Sequence, residues 1–219
     1  MGKIGSIRKA CSITDSIFHD IIMNFNFRTE KDIANFIAGK SRKNKVKLAF
    51  PTIVASGKNA AEIHHKPKNS ILKGFIVIDF GVKCNGFCSD MTRTIFVGKM
   101  NQSQKKLYEK VRMVQKNSIK KLKPGVSYKE LDLAARKSFG KKLRKKFVHA
   151  LGHGVGSKVH QNPKISPKSN NFAKEGEVVT VEPGLYFQKK CGIRIEDTIL
   201  VRKYGCEELT KSDKKLIII

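Results

Sequence analysis

Residues 74–97 read Gly-Phe-Ile-Val-Ile-Asp-Phe-Gly-Val-Lys-Cys-Asn-Gly-Phe-Cys-Ser-Asp-Met-Thr-Arg-Thr-Ile-Phe-Val. The Asn85-Gly86 pair between two apolar runs is the strongest short signal for a β-hairpin, whose return strand carries Asp90. A two-residue loop pairs Asp79 with Thr92 and places Asp79 and Asp90 on the same face, whereas a three-residue loop places them on opposite faces. Asp79 lies in a run too apolar for an exposed edge strand, so we expect its charge to meet a partner or a metal ion.

Two further apolar strands carry carboxylates. Residues 178–184 read Val-Val-Thr-Val-Glu-Pro-Gly, and residues 192–201 read Gly-Ile-Arg-Ile-Glu-Asp-Thr-Ile-Leu-Val. Successive side chains of a strand point to opposite faces. Glu182 therefore shares a face with Thr180. Glu196 shares a face with Arg194 and Thr198. Together with the hairpin, the sequence predicts four carboxylates on strands rich in β-branched residues.

A segment rich in histidine and glycine lies between these strands and the hairpin. Residues 147–160 read Phe-Val-His-Ala-Leu-Gly-His-Gly-Val-Gly-Ser-Lys-Val-His, with His153 between two glycines. Glycine allows other groups to approach the backbone closely. Four carboxylates and one imidazole suit Mn, Co, Fe or Zn in a paired site, where two ions about 3.5–4 Å apart can polarise a carbonyl. The alternative is that the carboxylates form salt bridges with the abundant lysines.

Apolar residues at helical spacing predict four helices. The helices are expected over residues 7–24, from Thr29 to a stop at Gly39, over 102–123, and over 127–142 after a capping box. Residues 52–55 resemble a strand, and residues 57–69 form a loop by composition. That loop carries His64 and His65, a pair that by itself indicates only surface polar residues. The tail, residues 209–219, either packs on the domain or is a disordered end.

Length and composition predict a single globular catalytic domain over residues 1–219. A chain of 219 residues is long enough to bury a sizeable core, and 40% of its residues are hydrophobic. The net charge is +27, from 45 basic and 18 acidic residues. Of the basic residues 36 are Lys and only 9 are Arg. Because Arg supplies most bidentate phosphate and base contacts, this balance argues against a nucleic-acid partner and for a lysine-rich solvated surface.

The cysteines and the hydropathy pattern predict a cytoplasmic protein with no membrane partner. Five cysteines, an odd number, occur without a Cys-x-x-Cys pair, which favours free thiols in a reducing compartment. No apolar run approaches the roughly 20 residues that span a bilayer.

Five segments stand out when they are taken in chain order. They are Asp-Phe-Gly (79–81), Gly-Phe-Cys-Ser-Asp-Met-Thr-Arg-Thr (86–94), His-Ala-Leu-Gly-His-Gly-Val-Gly (149–156), Val-Glu-Pro-Gly-Leu-Tyr (181–186) and Gly-Ile-Arg-Ile-Glu-Asp-Thr (192–198). Together they resemble the pita-bread-fold metallopeptidases of family M24, which include methionine aminopeptidase, aminopeptidase P and prolidase. The resemblance covers residues 4–215. It implies an α+β fold in which a curved antiparallel sheet is covered by helices.

The resemblance also implies a ligand set for two divalent cations per chain. Residue by residue, the five metal ligands of the family fall on Asp79, Asp90, His153, Glu182 and Glu196. Manganese is the favoured cation, and cobalt, iron or zinc are the alternatives.

Further roles follow from the same resemblance. A metal-activated water attacks the scissile carbonyl, and Glu182 accepts and passes on its proton. The catalytic histidines are His160, which hydrogen-bonds the region of the substrate carbonyl, and His64, near the scissile amide. On the substrate side, His149 helps to line a proline subsite, and Arg194 supports the metal-bound carboxylates or a proton relay.

The motif His-x-x-Pro-x-Asn at 64–69 and the segment at 50–57 resemble the Xaa-Pro aminopeptidase and dipeptidase branch more than the methionine branch. We therefore expect hydrolysis of the N-terminal Xaa-Pro bond of peptides that have proline at the second position. The alternatives are a methionine aminopeptidase, or a scaffold without catalysis that binds protein or RNA. Two residues depart from the pattern: Gln161 stands where an acidic residue is usual, and Phe87 replaces a common Tyr. The branch usually has an N-terminal domain, which we expect to be lacking here. Oligomeric state and substrate length are therefore left open.

Overall fold

Four α-helices and thirteen β-strands make up residues 2–219, the part of the chain that the computed structural model describes. The helices are α1 (Lys3–Met23), α2 (Glu30–Lys43), α3 (Gln102–Lys121) and α4 (Tyr128–Leu143). The first strands are β1 (Lys47–Leu48), β2 (Ile53–Ser56), β3 (Gly74–Phe80), β4 (Val82–Cys84), β5 (Phe87–Cys88) and β6 (Met91–Val97). The later strands are β7 (Gly152–Gly154), β8 (Gln161–Ile165), β9 (Val178–Val181), β10 (Gly184–Phe187), β11 (Cys191–Arg194), β12 (Asp197–Arg202) and β13 (Gly205–Glu208).

The strands form two main antiparallel sheets and two small ones. One main sheet has the order β2-β3-β6, and the other has the order β13-β12-β9-β7-β8. The small sheets are β10-β11 and β1-β4-β5. Hydrogen bonds tie β6 to the segment that leads from β11 to β12: Thr94 Oγ1 donates to the Arg194 carbonyl at 2.7 Å, and the Glu196 N–H donates to the Thr92 carbonyl at 3.1 Å. The hairpin and the later strands therefore meet edge to edge.

The helices cover each main sheet on one side. Helices α1 and α2 pack on β3 through a cluster that includes Ile21, Ile33, Ile76 and Ile78. Helices α3 and α4 cover the five-stranded sheet through a second cluster, which includes Val111, Leu131, Val179, Val181 and Ile199. Because strand side chains alternate, the polar residues of these strands lie on the faces away from the helices.

The hairpin has the register that a two-residue loop predicts. Asp79 pairs with Thr92, and Cys84 pairs with Phe87. The pairing is interrupted near Gly81, where a Cβ atom would lie 1.9 Å from the Ser89 carbonyl oxygen. Only glycine fits at such a close approach. The prediction that the return strand contains Asp90 is therefore wrong, because Asp90 lies just before β6.

Other boundaries differ from the predictions as well: α1 begins at Lys3 and not at residue 7, and α3 ends at Lys121 and not at residue 123. Gly39 does not end α2, which continues to Lys43 and buries Ser41, whose Oγ donates to the Ile37 carbonyl at 2.9 Å. A basic last turn also favours this extension, because cations complement the C-terminal end of the helix dipole. The expected single strand at 192–201 is two strands, with Ile195 and Glu196 between them, since β11 pairs with β10 and β12 pairs with β9.

The C-terminal tail packs on the domain, which is the first of the two alternatives. The Phe96 N–H donates to the Ile217 carbonyl, and the Ile219 N–H donates to the Phe96 carbonyl, both at 2.9 Å. Among residues 2–219, no helix combines the length and the apolar character that a membrane crossing requires.

Candidate active site

Eight of the nine sequence-predicted site residues border one cavity of about 370 Å³. They are Asp79, Asp90, His153, Glu182, Glu196, Arg194, His64 and His160. The rest of the wall is largely apolar and includes Phe50, Pro51, Ile53, Ile63 and Pro67. The ninth residue, His149, is linked to the cluster through Glu182 and Tyr186. A charged cluster thus faces a cavity with an apolar wall, as small-molecule sites commonly do.

Strand pairing explains why the four carboxylates meet. The register of β9 and β12 pairs Val181 with Asp197, so the next residues outward, Glu182 and Glu196, stand side by side. The hairpin contributes the other two carboxylates, Asp79 and Asp90. Thr92 of the hairpin links it to the later strands, because Thr92 Oγ1 donates to Glu196 Oε2 at 2.6 Å.

The cluster contains three overlapping sets of ligand atoms, each with all members within 4.8 Å of one another, and two of these sets consist only of the predicted metal ligands. One set is Asp79, Asp90 and Glu196, and the other is His153, Glu182 and Glu196. A third set, in which Asp90 and His153 are joined by His160, overlaps both. Glu196 is common to the first two sets, so its two oxygens could serve two cations. Carboxylate oxygens with one imidazole form a donor set for divalent ions such as Mn.

The electrostatics of the cluster also fit cations. Asp79 Oδ1 is buried without a hydrogen-bond partner among the described residues. Burial raises the pKa of Asp79, and burial with the neighbouring carboxylates raises the pKa values of Asp90 and Glu196 well above their usual range. Burial also acts on Glu182, but the hydrogen bond from His153 and nearby positive charge outweigh it and lower the pKa of Glu182 to about 2. Divalent cations would neutralise this excess of negative charge.

His153 has the surroundings of a metal-binding histidine. It lies in β7 beside Gly152, where a Cβ atom would come 2.0 Å from the Thr180 carbonyl oxygen. The His153 backbone N–H donates to Thr180 Oγ1 at 3.1 Å, and Nδ1 faces the Gly154 carbonyl at 3.2 Å. Nε2 then points to Glu182 Oε1 at 3.3 Å and to Asp90 Oδ2 at 3.6 Å. Ligating histidines commonly have their second nitrogen held in this way.

A chain of hydrogen bonds leads from the carboxylates to His149. Arg194 Nη2 donates to Asp79 Oδ2 at 2.6 Å, and Arg194 Nη1 donates to the Tyr186 hydroxyl at 2.8 Å. The Tyr186 hydroxyl lies 2.9 Å from His149 Nε2, and His149 Nδ1 lies 2.8 Å from the Ala150 carbonyl and 3.9 Å from Glu182 Oε2. Burial lowers the pKa of His149 and raises the pKa of Tyr186 to about 12. A neutral His149 that accepts from the Tyr186 hydroxyl satisfies every one of these contacts.

Sequence reasoning missed the role of Tyr186. This residue belongs to the motif at 181–186, and the pairing of β10 with β11 places it opposite Gly192 and near Arg194. The sequence feature that could have indicated this role is the short turn between β10 and β11, which brings Tyr186 beside the strand that carries Arg194.

The two histidines of the 57–69 loop have different surroundings. His64 is exposed and borders the cavity. His65 is only 1% exposed, so the expectation of two surface histidines is wrong for His65. Its ring nitrogens lie 2.8 Å from Glu30 Oε2 and 2.8 Å from Glu62 Oε2, and these carboxylates satisfy the buried ring. The ring of His160, the other predicted catalytic histidine, lies with its centroid 4.3 Å from that of His153.

Residues 5–203 match the model of a family described as metallopeptidase family M24. The Xaa-Pro dipeptidase of Pyrococcus furiosus is 39% identical over 98% of this chain and 63% of its own length. Among solved structures, the prolidase from Pyrococcus horikoshii has a TM-score of 0.94 at 39% identity, covering 98% of this chain and 63% of that one. The X-Pro aminopeptidase from Thermotoga maritima has a TM-score of 0.95 at 36% identity, covering 100% and 63%.

These comparisons confirm the α+β pita-bread fold, which the structural neighbours share. The chain spans about 63% of the length of the relatives that it matches. The family match covers most of the chain, and a relative 39% identical covers 98% of it. The chain therefore belongs to metallopeptidase family M24.

Proposed function

We propose that residues 1–219 form a single catalytic domain that hydrolyses the N-terminal Xaa-Pro bond of peptides or dipeptides with two divalent cations, manganese being favoured. The observation that carries the proposal is the pair of overlapping ligand sets facing a cavity with an apolar wall. The names of the relatives, an Xaa-Pro dipeptidase and an X-Pro aminopeptidase, support the substrate class. Five free cysteines support a location in a reducing cytosol.

When bound, the two cations would activate a water molecule and polarise the scissile carbonyl. Glu182 is the proton acceptor, because its carboxylate belongs to a ligand set and borders the cavity where the water molecule and the substrate would meet. Arg194 holds Asp79 in place through the 2.6 Å bond from Nη2 to Oδ2. Asp79 thereby keeps a defined orientation before substrate arrives.

The histidines that border the cavity act on the substrate. His160 is exposed beside His153 and is placed to donate to the substrate carbonyl region. His64 is exposed and borders the cavity, which supports a role for it near the leaving nitrogen. His149 does not itself border the cavity, so its contribution to the proline subsite is made through Glu182, whose Oε2 lies 3.9 Å from His149 Nδ1. The apolar wall accommodates the proline ring and the preceding side chain.

A substrate panel tests the proposal. Purified protein with Mn²⁺ is assayed on Xaa-Pro dipeptides, longer Xaa-Pro peptides, matched Xaa-Ala peptides and Met-Ala-Ser peptides. We expect cleavage of the Xaa-Pro bond and little cleavage of the Xaa-Ala controls. Turnover of only the Met peptides would assign the chain to methionine aminopeptidase chemistry. Metal binding without turnover of any peptide would favour a binding scaffold.

A further inference from the structure

One buried carboxylate gathers the whole loop that carries His64. We define the His64 loop as residues 56–70. Glu30, the first residue of α2, is 0% exposed. Within residues 2–219, the hydrogen bonds of its carboxylate are all with this loop. Oε1 accepts from the Ser56 N–H (2.8 Å) and from Asn59 Nδ2 (2.9 Å), and Oε2 accepts from the Lys68 N–H (2.9 Å) and contacts His65 Nε2 (2.8 Å). The backbone N–H of Glu30 donates to the Ser70 carbonyl (3.2 Å). Both ends of the loop are thus fastened to a single side chain.

The contacts of His65 define its charge state. Its two ring nitrogens each face a carboxylate at 2.8 Å, Glu30 on one side and Glu62 on the other. An ionised carboxylate accepts hydrogen bonds and does not donate them, so a His65 ring that carries both protons would satisfy both contacts. In that form His65 would also balance the buried charge of Glu30.

The same loop touches the candidate site at two points. His64 directly precedes His65 in the chain, and it borders the cavity. The short 3-10 helix at Gly57–Ala61 packs on β11, where a Cβ atom at Gly192 would lie 1.8 Å from the Ala60 carbonyl oxygen. Strand β11 carries Arg194, which holds Asp79. The loop therefore carries a catalytic histidine and adjoins the strand that carries Arg194.

We propose that Glu30 and His65 are positioning residues of the peptidase reaction, whose ion pair fixes the His64 loop so that His64 faces the acidic cluster. This role rests on the proposed function. Neither side chain is free to act on the reacting bond: Glu30 is enclosed by the loop, and His65, which also borders the cavity, has both ring nitrogens engaged by carboxylates.

The test replaces Glu30 by Gln, which keeps the shape of the side chain. A carboxylate accepts all four hydrogen bonds, whereas the amide NH₂ of Gln would face two of the donors. We expect the Ser56 and Lys68 amides to exchange with solvent at least about 10-fold faster, because both donate to Glu30. We also expect kcat on an Xaa-Pro peptide to fall by about 100-fold, with KM and Mn²⁺ affinity changed less than about threefold. Glu62→Gln is the matched control, since Glu62 contacts the same imidazole from an exposed position; its kcat should fall less than about threefold.

A second comparison separates positioning from a general loss of structure. If Glu30 acts through His64, adding Glu30→Gln to His64→Ala should cause no further loss of kcat. Multiplying losses, or unchanged amide exchange and kcat in Glu30→Gln, would overturn the inference. If Glu30→Gln does not fold, His65→Gln replaces it with the same criteria. A wild-type protein without peptidase activity would refute the proposed function alone, because amide exchange still reports whether Glu30 holds the loop.

Discussion

Replacing Asp90 by Asn should stabilise the metal-free protein while removing most of its stabilisation by metal. Asp90 is 3% exposed, and burial, together with the charges of Glu196, Asp79 and Glu182, raises its pKa well above the usual range. Each tenfold increase in proton affinity corresponds to about 1.4 kcal/mol of penalty on the ionised form. At pH 8 we therefore expect Asp90→Asn to raise the free energy of unfolding of the metal-free protein by at least about 1.4 kcal/mol. For a chain of this length the melting temperature should rise by about 3–6 °C.

Asp197→Asn is the matched control with the opposite sign. Asp197 is also fully buried, but Arg93 donates to it at 2.6 Å and Lys214 at 2.8 Å. Burial acts to raise the pKa of Asp197, and these two cations outweigh it and lower that pKa. Removing one partner of a buried ion pair costs about 3–5 kcal/mol. The metal-free Asp197→Asn protein should therefore melt at least about 6 °C lower than wild type.

Metal should separate the two variants further. At a cation concentration 100 times the dissociation constant, binding stabilises the native state by about 2.7 kcal/mol, or roughly 5–11 °C. Wild type and Asp197→Asn should both show this increase. Loss of a ligand should weaken binding by about 100-fold or more, so Asp90→Asn should gain only about 1–2 °C at the same concentration.

Scanning calorimetry at pH 8 measures all three proteins, first after dialysis against a chelator and then with Mn²⁺. An equal increase with metal in Asp90→Asn and wild type would refute the assignment of Asp90 as a ligand. A metal-free Asp90→Asn protein as unstable as Asp197→Asn would refute the reasoning that the cluster holds excess negative charge.

Three further outcomes follow from the same structure. The pKa values of Asp79, Asp90 and Glu196 are raised, so the metal-free native state binds more protons than the unfolded chain. Its free energy of unfolding should therefore fall as pH rises from about 4 through those raised pKa values, which calorimetry across pH measures. Tyr186→Phe removes the hydroxyl between Arg194 and His149 and should lower kcat by about 10-fold or more in steady-state assays, whereas Tyr204→Phe, at an 86% exposed position, should match wild type. Gly152→Ala should destabilise by about 1–3 kcal/mol in urea unfolding because its Cβ would meet the backbone 2.0 Å away, whereas replacing the helical Gly39 by Ala, where the nearest atom is 3.9 Å away, should stabilise by about 0.5–1 kcal/mol.

Local rules predicted much of the geometry of the site. Asn85-Gly86 gives a two-residue loop, and that loop length alone sets the pairing of Asp79 with Thr92. Strand alternation placed Arg194 and Glu196 on the face away from the apolar core. The assignment of the five ligands and of the catalytic histidines depended on a resemblance to a family, because spacing alone leaves salt bridges with lysine as an alternative.

Contacts between residues distant in the sequence could not be predicted. Glu30 and His65 are 35 positions apart, and neither position in isolation indicates a buried ion pair. The break between β11 and β12 depends on two different partner strands, which a continuous alternating pattern does not show. Gly39 ended the predicted helix by a local rule, but packing of Ser41 and the basic last turn extend α2 beyond it.

Release of proline from an Xaa-Pro dipeptide, measured while Mn²⁺ is added stepwise to the metal-free protein, tests the central claim most directly. The two overlapping ligand sets predict no release without metal and a rate that rises until two equivalents are bound. Proline release that is independent of metal, or two bound equivalents with no cleavage of the dipeptide or of longer Xaa-Pro peptides, would contradict the account.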